Sequence, residues 1–160
     1  MEHTLSRLLA HERIRAARRH VERADERTLA RQAALSATPA PTGAEAARGA
    51  RVAELFREVG LTDVGLDHAG NVRGWYARNR EGPAVGAQHP APLPAPVVLA
   101  AHLDTVFGPE VDVRVTRHGQ RLEGPGISDN ARGLAALVAV AEALVATGVT
   151  TARPILFAAT

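Results

Sequence analysis

The run Val97-Val98-Leu99-Ala100-Ala101 limits the possible folds more than any other stretch of this chain. A short continuous apolar run of this kind reads as a strand buried on both faces of a parallel sheet. In open α/β sheets, ligands gather outside the carboxyl ends of such strands. His102 and Asp104 stand there, two residues apart, so their side chains leave the strand on the same face.

Downstream, Asp112-Val113-Arg114-Val115 alternates and turns at His118-Gly119-Gln120, which predicts a short hairpin before Leu122 with His118 in solvent. Gly124-Pro125-Gly126 brings the backbone back toward the sheet. Asp129 or Asn130 can cap the next helix, whose stripe of Leu134, Leu137, Val138, Ala141, Leu144 and Val145 is core. Gly148 ends that helix, and Pro154 to Ala159 is a second buried strand. Strand, helix and strand make a βαβ crossover, right-handed by default, so the class is α/β.

Upstream, Met1 to about Leu35 reads as a helical region, with Leu5, Leu8, Leu9, Ile14, Ala17 and Val21 at roughly helical spacing. Eight arginines between Arg7 and Arg31 raise the idea of a basic arm for nucleic acid or an anionic membrane. Glu2, Glu12, Glu22, Asp25 and Glu26 are interspersed among them, which makes a solvated, internally paired face the better reading and argues against a transit peptide. Thr38-Pro39-Ala40-Pro41-Thr42-Gly43 breaks the helix. Thr42 or Gly43 begins the next one, with Glu45 in the capping-box place. It runs to about Val59 with Ala46, Ala50, Ala53 and Leu55 or Phe56 near one side, and Gly60 stops it. Two short strands, Val64 to Asp67 and Asn71 to Tyr76, follow around His68-Ala69-Gly70. Arg78 to Pro96 reads as a surface loop in which His89 is solvated.

Composition excludes several classes. A chain of 160 residues with 46% hydrophobic content is sized for one domain with a real core. Without cysteine there are no disulfides and no thiolate ligands, so any metal must be held by His and carboxylate, a set suited to zinc, manganese or cobalt. The pI of about 10.3 is misleading. All 19 basic residues are arginine, which titrates so high that a net charge of only +2 still yields an extreme value. With 3% aromatic residues, the stacking platform of a single-strand nucleic-acid binder is missing. No leader-like apolar region and no membrane-length run occur, so a cytoplasmic protein without nucleic-acid or membrane partners is expected.

Taken singly, Asp129 reads as a helix cap, and His102 as a strand-end histidine oriented by Asp104. Together they fit something narrower. A carboxylate that hydrogen-bonds a ligating histidine fixes its tautomer and raises its basicity. A further carboxylate able to bridge holds two zinc ions roughly 3.5–4 Å apart in two-metal hydrolases.

At these residues the chain resembles the N-terminal part of the catalytic domain of the dinuclear zinc exopeptidases and amidohydrolases. That family includes aminoacylase, acetylornithine deacetylase, succinyl-diaminopimelate desuccinylase, glutamate carboxypeptidase and peptidase T. The matching text is Ala101-His102-Leu103-Asp104-Thr105-Val106, then Gly124-Pro125-Gly126-Ile127-Ser128-Asp129-Asn130 with its helix. Pro39-Ala40-Pro41-Thr42-Gly43 with Glu45, and Gly70-Asn71-Val72, match more weakly. The resemblance covers about residues 25–160, and residues 1–24 form a helical extension outside it.

The resemblance implies a three-layer helix-sheet-helix domain with a mostly parallel sheet. It implies His102 as a ligand of one zinc, Asp129 as the bridge between two, and Asp104 as the active-site aspartate that orients His102. It also implies a cis Asp129–Asn130 peptide; His and carboxylate ligands suit cobalt or manganese as well as zinc. The reaction implied is hydrolysis of an amide beside a free terminus or an N-acyl group, on a small peptide or an N-acyl amino acid. A glutamate serves there as general base.

In the family that glutamate, and a ligand glutamate beside it, follow directly after the strand represented here by Pro154 to Thr160. The remaining ligands and the domain used for homodimers lie further on. The expectation is therefore a truncated chain that is inactive alone and binds zinc weakly. A non-catalytic remnant or interaction domain with a half metal site is the alternative. Aggregation through an unpaired sheet edge near Ile155 to Ala159 would mark the fragment.

Overall fold

In the computed structural model, residues 2–76 and 95–160 are described. The chain begins with α1 (Glu2–Ala10), α2 (Glu12–Arg23), α3 (Asp25–Ser36) and α4 (Ala46–Glu58). Strands β1 (Thr62–Leu66), β2 (Val72–Tyr76) and β3 (Val97–Ala101) follow. The hairpin β4 (Thr116–His118) and β5 (Arg121–Glu123), α5 (Ala131–Thr147) and β6 (Ile155–Ala159) complete the order. The loop expected over Arg78 to Pro96, with His89, lies outside the described residues except for its last two positions. No helix among the described residues is long and apolar enough to cross a membrane.

The single helical region expected at the N-terminus is three helices. His11 leaves the helix with extended backbone and caps α2 by accepting from the Arg13 N–H, and Ala24 separates α2 from α3 at φ −90°, ψ 7°. Neither break carries the Gly or Pro that would mark it in sequence. Residue 24, where the expected extension ends, lies at this break between two helices. Even so, α2 and α3 both pack on α5, and Arg13 Nη1 donates to the Gly148 carbonyl at 2.6 Å. The helix stops read from sequence hold: Gly60 and Gly148 take φ of 88° and 62°, the left-handed conformation that other residues enter at a cost.

The sheet runs β1-β2-β6-β3. The βαβ unit forms as expected, with β3 and β6 parallel from Val97↔Ile155 to Ala101↔Ala159 and α5 between them in sequence. The other two pairings, β1 with β2 and β2 with β6, are antiparallel. The α/β class therefore holds, with one parallel pairing among the described strands and the packing helices α4 and α5 meeting the core on one face.

Strand alternation explains that face. The rows Val72–Ala159–Ala101 and Gly74–Phe157–Leu99 point into a core shared with Val52, Phe56, Leu134 and Val138, and Phe56 meets Phe157 edge-on with centroids 6.4 Å apart. Val98 lies in the opposite row and is 54% exposed.

Two expectations are corrected here. β3 is not buried on both faces; among the described strands it stands at the edge of the sheet. β6, expected to present an unpaired edge, lies between β2 and β3. A run of apolar residues records that both faces tolerate burial, but which strand neighbours it is decided by the whole topology. The hairpin is also shorter than expected: Asp112 to Val115 falls outside β4, while His118 is exposed as read.

Candidate metal centre

β3 delivers its last side chains to a point pinned from two sides. On one side the strand ladder continues, with the Leu103 N–H donating to Thr160 O at 2.5 Å and the Thr160 N–H to Ala101 O at 3.0 Å. On the other, the Thr105 N–H donates to Ala40 O at 2.8 Å, and Thr105 bridges Pro41 in the loop before α4. The Leu103 side chain, 2% exposed, goes into the core. His102 and Asp104, on either side of it, project outward as the spacing predicts.

These two side chains form part of a chain of contacts. Thr42 Oγ1 donates to Asp104 Oδ2 at 2.7 Å. His102 Nδ1 lies 3.0 Å from Asp104 Oδ1 and 3.1 Å from the Asp104 carbonyl oxygen. Both neighbours are acceptors, so Nδ1 carries a proton and donates it. His102 Nε2 faces Asp129 Oδ1 at 2.9 Å. Partial desolvation pulls the His102 imidazole down, but the hydrogen bonds and charges of Asp129 and Asp104 outweigh it and the net shift is upward. The Thr42 hydroxyl, followed by His102, holds the Asp104 carboxyl below its ordinary range.

The same bond corrects the reading of Thr42 as a helix cap. Helix α4 starts at Ala46 with Glu45 in the cap position and no side-chain cap bond, while Glu45 Oε1 accepts from the Gly43 N–H at 2.5 Å. The Thr42 hydroxyl is spent on Asp104 instead.

Asp129 reaches the site from the turn 124–130. Gly126 has φ 70°, and a Cβ there would lie 2.9 Å from Thr105 Cγ2, so this close approach of loop to strand end requires glycine. The Asp129–Asn130 peptide is cis, as the resemblance implies. Asn130 takes the cap position of α5 without a side-chain cap bond. The plain cap reading of Asp129 therefore fails: its carboxylate faces His102 and is 87% exposed.

Helix α3 braces this turn from behind. Buried Ser36 donates to Pro125 O at 2.8 Å, and buried Gln32 donates to Ile127 O at 2.7 Å. On the strand side, Arg48 of α4 donates to the carbonyls of Leu103 and Thr38. Sequence reasoning missed Thr42, Gln32, Ser36 and Arg48 as parts of the site. Nothing in a linear pattern distinguishes a polar helix residue facing a carbonyl from one facing water.

Between the two segments lies a cavity of about 230 Å³, lined by His102, Asp104, Phe107 and Asp129 among others. A hollow of about 410 Å³ behind it, between α3 and the hairpin, shares Ile127 and Ser128 with it. The donor chemistry at the cavity, one imidazole nitrogen and one carboxylate with no sulfur, suits zinc and its divalent substitutes. Among the described residues no three His, Cys, Asp or Glu side chains form a group placed to hold a metal ion. The donor set these residues offer is two groups, the His102 imidazole and the Asp129 carboxylate.

Residues 84–160 match Peptidase family M28. No curated protein matches the chain. Among solved structures, a tripeptidase from Staphylococcus aureus is similar at 23% identity and TM-score 0.64, over 84% of this chain and 36% of that one. Aminopeptidase PepT from Bacillus cereus is similar at 18% identity and TM-score 0.64 over the same shares. An aminoacylhistidine dipeptidase from Vibrio alginolyticus is similar at 22% identity and TM-score 0.56, over 83% of this chain and 27% of that one. At these identities the likeness is one of fold. The chain spans about a third of the length of these relatives.

Proposed function

We propose that this chain, built like the N-terminal part of the catalytic domain of the dinuclear zinc exopeptidases, carries half of a metal-dependent hydrolase site. The substrate class is a small peptide cleaved at a terminal bond, or an N-acyl amino acid. The observation that carries this reading is the convergence of His102 Nε2 and Asp129 Oδ1 at 2.9 Å while Asp104 takes the other imidazole nitrogen.

In this reading His102 Nε2 and the Asp129 carboxylate would hold the metal, Asp129 in the bridging role that the resemblance implies. Asp104 keeps the His102 proton on Nδ1, which leaves Nε2 as the ligand atom. Thr42 holds Asp104 for that task. Bound zinc, cobalt or manganese would polarise the scissile carbonyl and lower the pKa of the attacking water. With two donors, residues 1–160 alone bind zinc weakly and turn over no substrate. The compartment we propose is the cytoplasm.

A second reading, a non-catalytic remnant that keeps a half-site, is supported by the two-donor count among the described residues. The experiment that separates them measures hydrolysis of di- and tripeptides and of N-acyl amino acids, with zinc content in parallel, in the longest natural chain containing residues 1–160. Asp129→Ala should abolish both turnover and zinc binding. Unchanged turnover sinks the assignment, and zinc binding without turnover of any of these substrates supports the remnant.

A further inference from the structure

Arg48 is 1% exposed, and among the fully buried side chains it is the only charged one in the described residues. Its guanidinium bonds carbonyl oxygens: Nη1 donates to Leu103 O at 2.7 Å, while Nε and Nη2 donate to Thr38 O at 3.0 and 2.6 Å. Burial pushes this guanidinium down, and the charge of Asp104 acts in the opposite direction. Burying a cation is costly unless its protons are satisfied. An apolar side chain would fill the same space without that cost, so what the arginine adds is the pair of segments it joins.

Those two segments build the site. Leu103 O is the carbonyl between His102 and Asp104. Thr38 opens the loop whose Ala40 accepts from Thr105 and whose Thr42 donates to Asp104. One side chain therefore cross-links the strand end that carries the ligand to the loop that carries its orienting hydroxyl.

We propose that Arg48 is the positioning residue of the His102–Asp104 pair: by bridging the carbonyls of Leu103 and Thr38, it keeps Thr42 within reach of Asp104, and Asp104 within reach of His102. Its consequence for metal affinity rests on the metal-site reading above. Arg48 is not among the residues that line the cavity.

The test compares Arg48→Met, Arg48→Lys and, as a control for lost stability, Val52→Ala. Val52 lies one turn further along α4 and is fully buried in the core. Each chain is titrated with zinc alone, against a chromophoric chelator, at a temperature where circular dichroism shows it folded. Arg48→Met should weaken zinc binding about tenfold or more, as loss of an outer support of a ligand does. Arg48→Lys should recover part of that, and Val52→Ala should stay within about twofold of the parent.

In the metal-free chains, NMR should show the hydrogen-bonded Nδ1 proton of His102 in the parent and in Val52→Ala, but not in Arg48→Met. Zinc affinity of Arg48→Met within about twofold of the parent, an equal loss in Val52→Ala, or a retained Nδ1 proton overturns the proposal. If Arg48→Met does not fold, Arg48→Lys carries the test, and parental affinity and proton signal in it overturn the proposal equally. Should the parent bind no zinc and Asp129→Ala change nothing, the metal reading fails, while the His102 proton still decides the role of Arg48.

Discussion

Thr42 and Asp104, 62 residues apart in sequence, meet hydroxyl to carboxylate at 2.7 Å. The bond leaves the other Asp104 oxygen for His102, so a loop ahead of α4 governs an imidazole at the end of β3. Thr42→Val keeps the shape and removes the donor. We expect zinc affinity to fall by about tenfold, the lower end for loss of an outer partner, with stability changed by less than about 1 kcal/mol because the contact is exposed. Calorimetric zinc titration beside thermal denaturation checks this, and parental affinity would refute the coupling.

Ser36 is fully buried and its hydroxyl serves the Pro125 carbonyl in the turn that carries Asp129. Ser36→Ala leaves that acceptor without its partner, at a cost of about 1–3 kcal/mol. The loss should concentrate in the turn: the Ala131 amide, bonded to Gly126 O, should exchange faster than amides in the middle of α5. Urea unfolding gives the first quantity and hydrogen exchange the second.

Phe157 sits at the centre of β6 with no exposed surface, edge-on to Phe56 of α4. Phe157→Ala should cost about 3–5 kcal/mol from lost transfer energy and the cavity left behind. A cost under about 1 kcal/mol in urea unfolding would mean that the core is not centred on this contact.

Glu142 ties α5 to α2 and α3 through Arg31 at 2.5 Å and Arg27 at 2.8 Å, with His20 at 3.8 Å. Burial pushes its carboxyl up, but the arginines outweigh that and the net shift is downward. A carboxyl depressed by folding contributes stability that is fully present above its unfolded pKa and is lost as pH falls through its folded pKa. Glu142→Gln should therefore cost about 1–3 kcal/mol near neutral pH, between the values for exposed and buried pairs. That difference should shrink as pH falls below the ordinary carboxyl range. Urea unfolding of both chains from about pH 7 down to about pH 3 measures it, and a pH-independent difference refutes the assignment.

Much of this molecule was legible without coordinates, because local chemistry writes it into neighbouring residues. The apolar run of β3, the stripe of α5 and the apolar β6 prescribe their own conformations through side-chain periodicity. Gly60 and Gly148 stop helices because only glycine enters the left-handed region without a Cβ penalty. The clustering of His102, Asp104 and Asp129 followed from two motifs placed at element ends.

Other features depended on distances that a linear sequence does not contain. His11 and Ala24 break the N-terminal helices without a residue that announces it. Among the described strands β3 stands at the edge, and β6 inside the sheet, because strand order is settled by all pairings at once. Arg48 is one arginine among many in sequence, and only the packing of α4 against two carbonyls makes it buried. Thr42 has the pattern of a cap, yet an acceptor 62 residues away claims its hydroxyl. Gln32 reaches a carbonyl 95 residues ahead. A backbone conformation is chosen by a few adjacent residues, whereas a polar side chain takes whichever partner folding brings within about 3 Å.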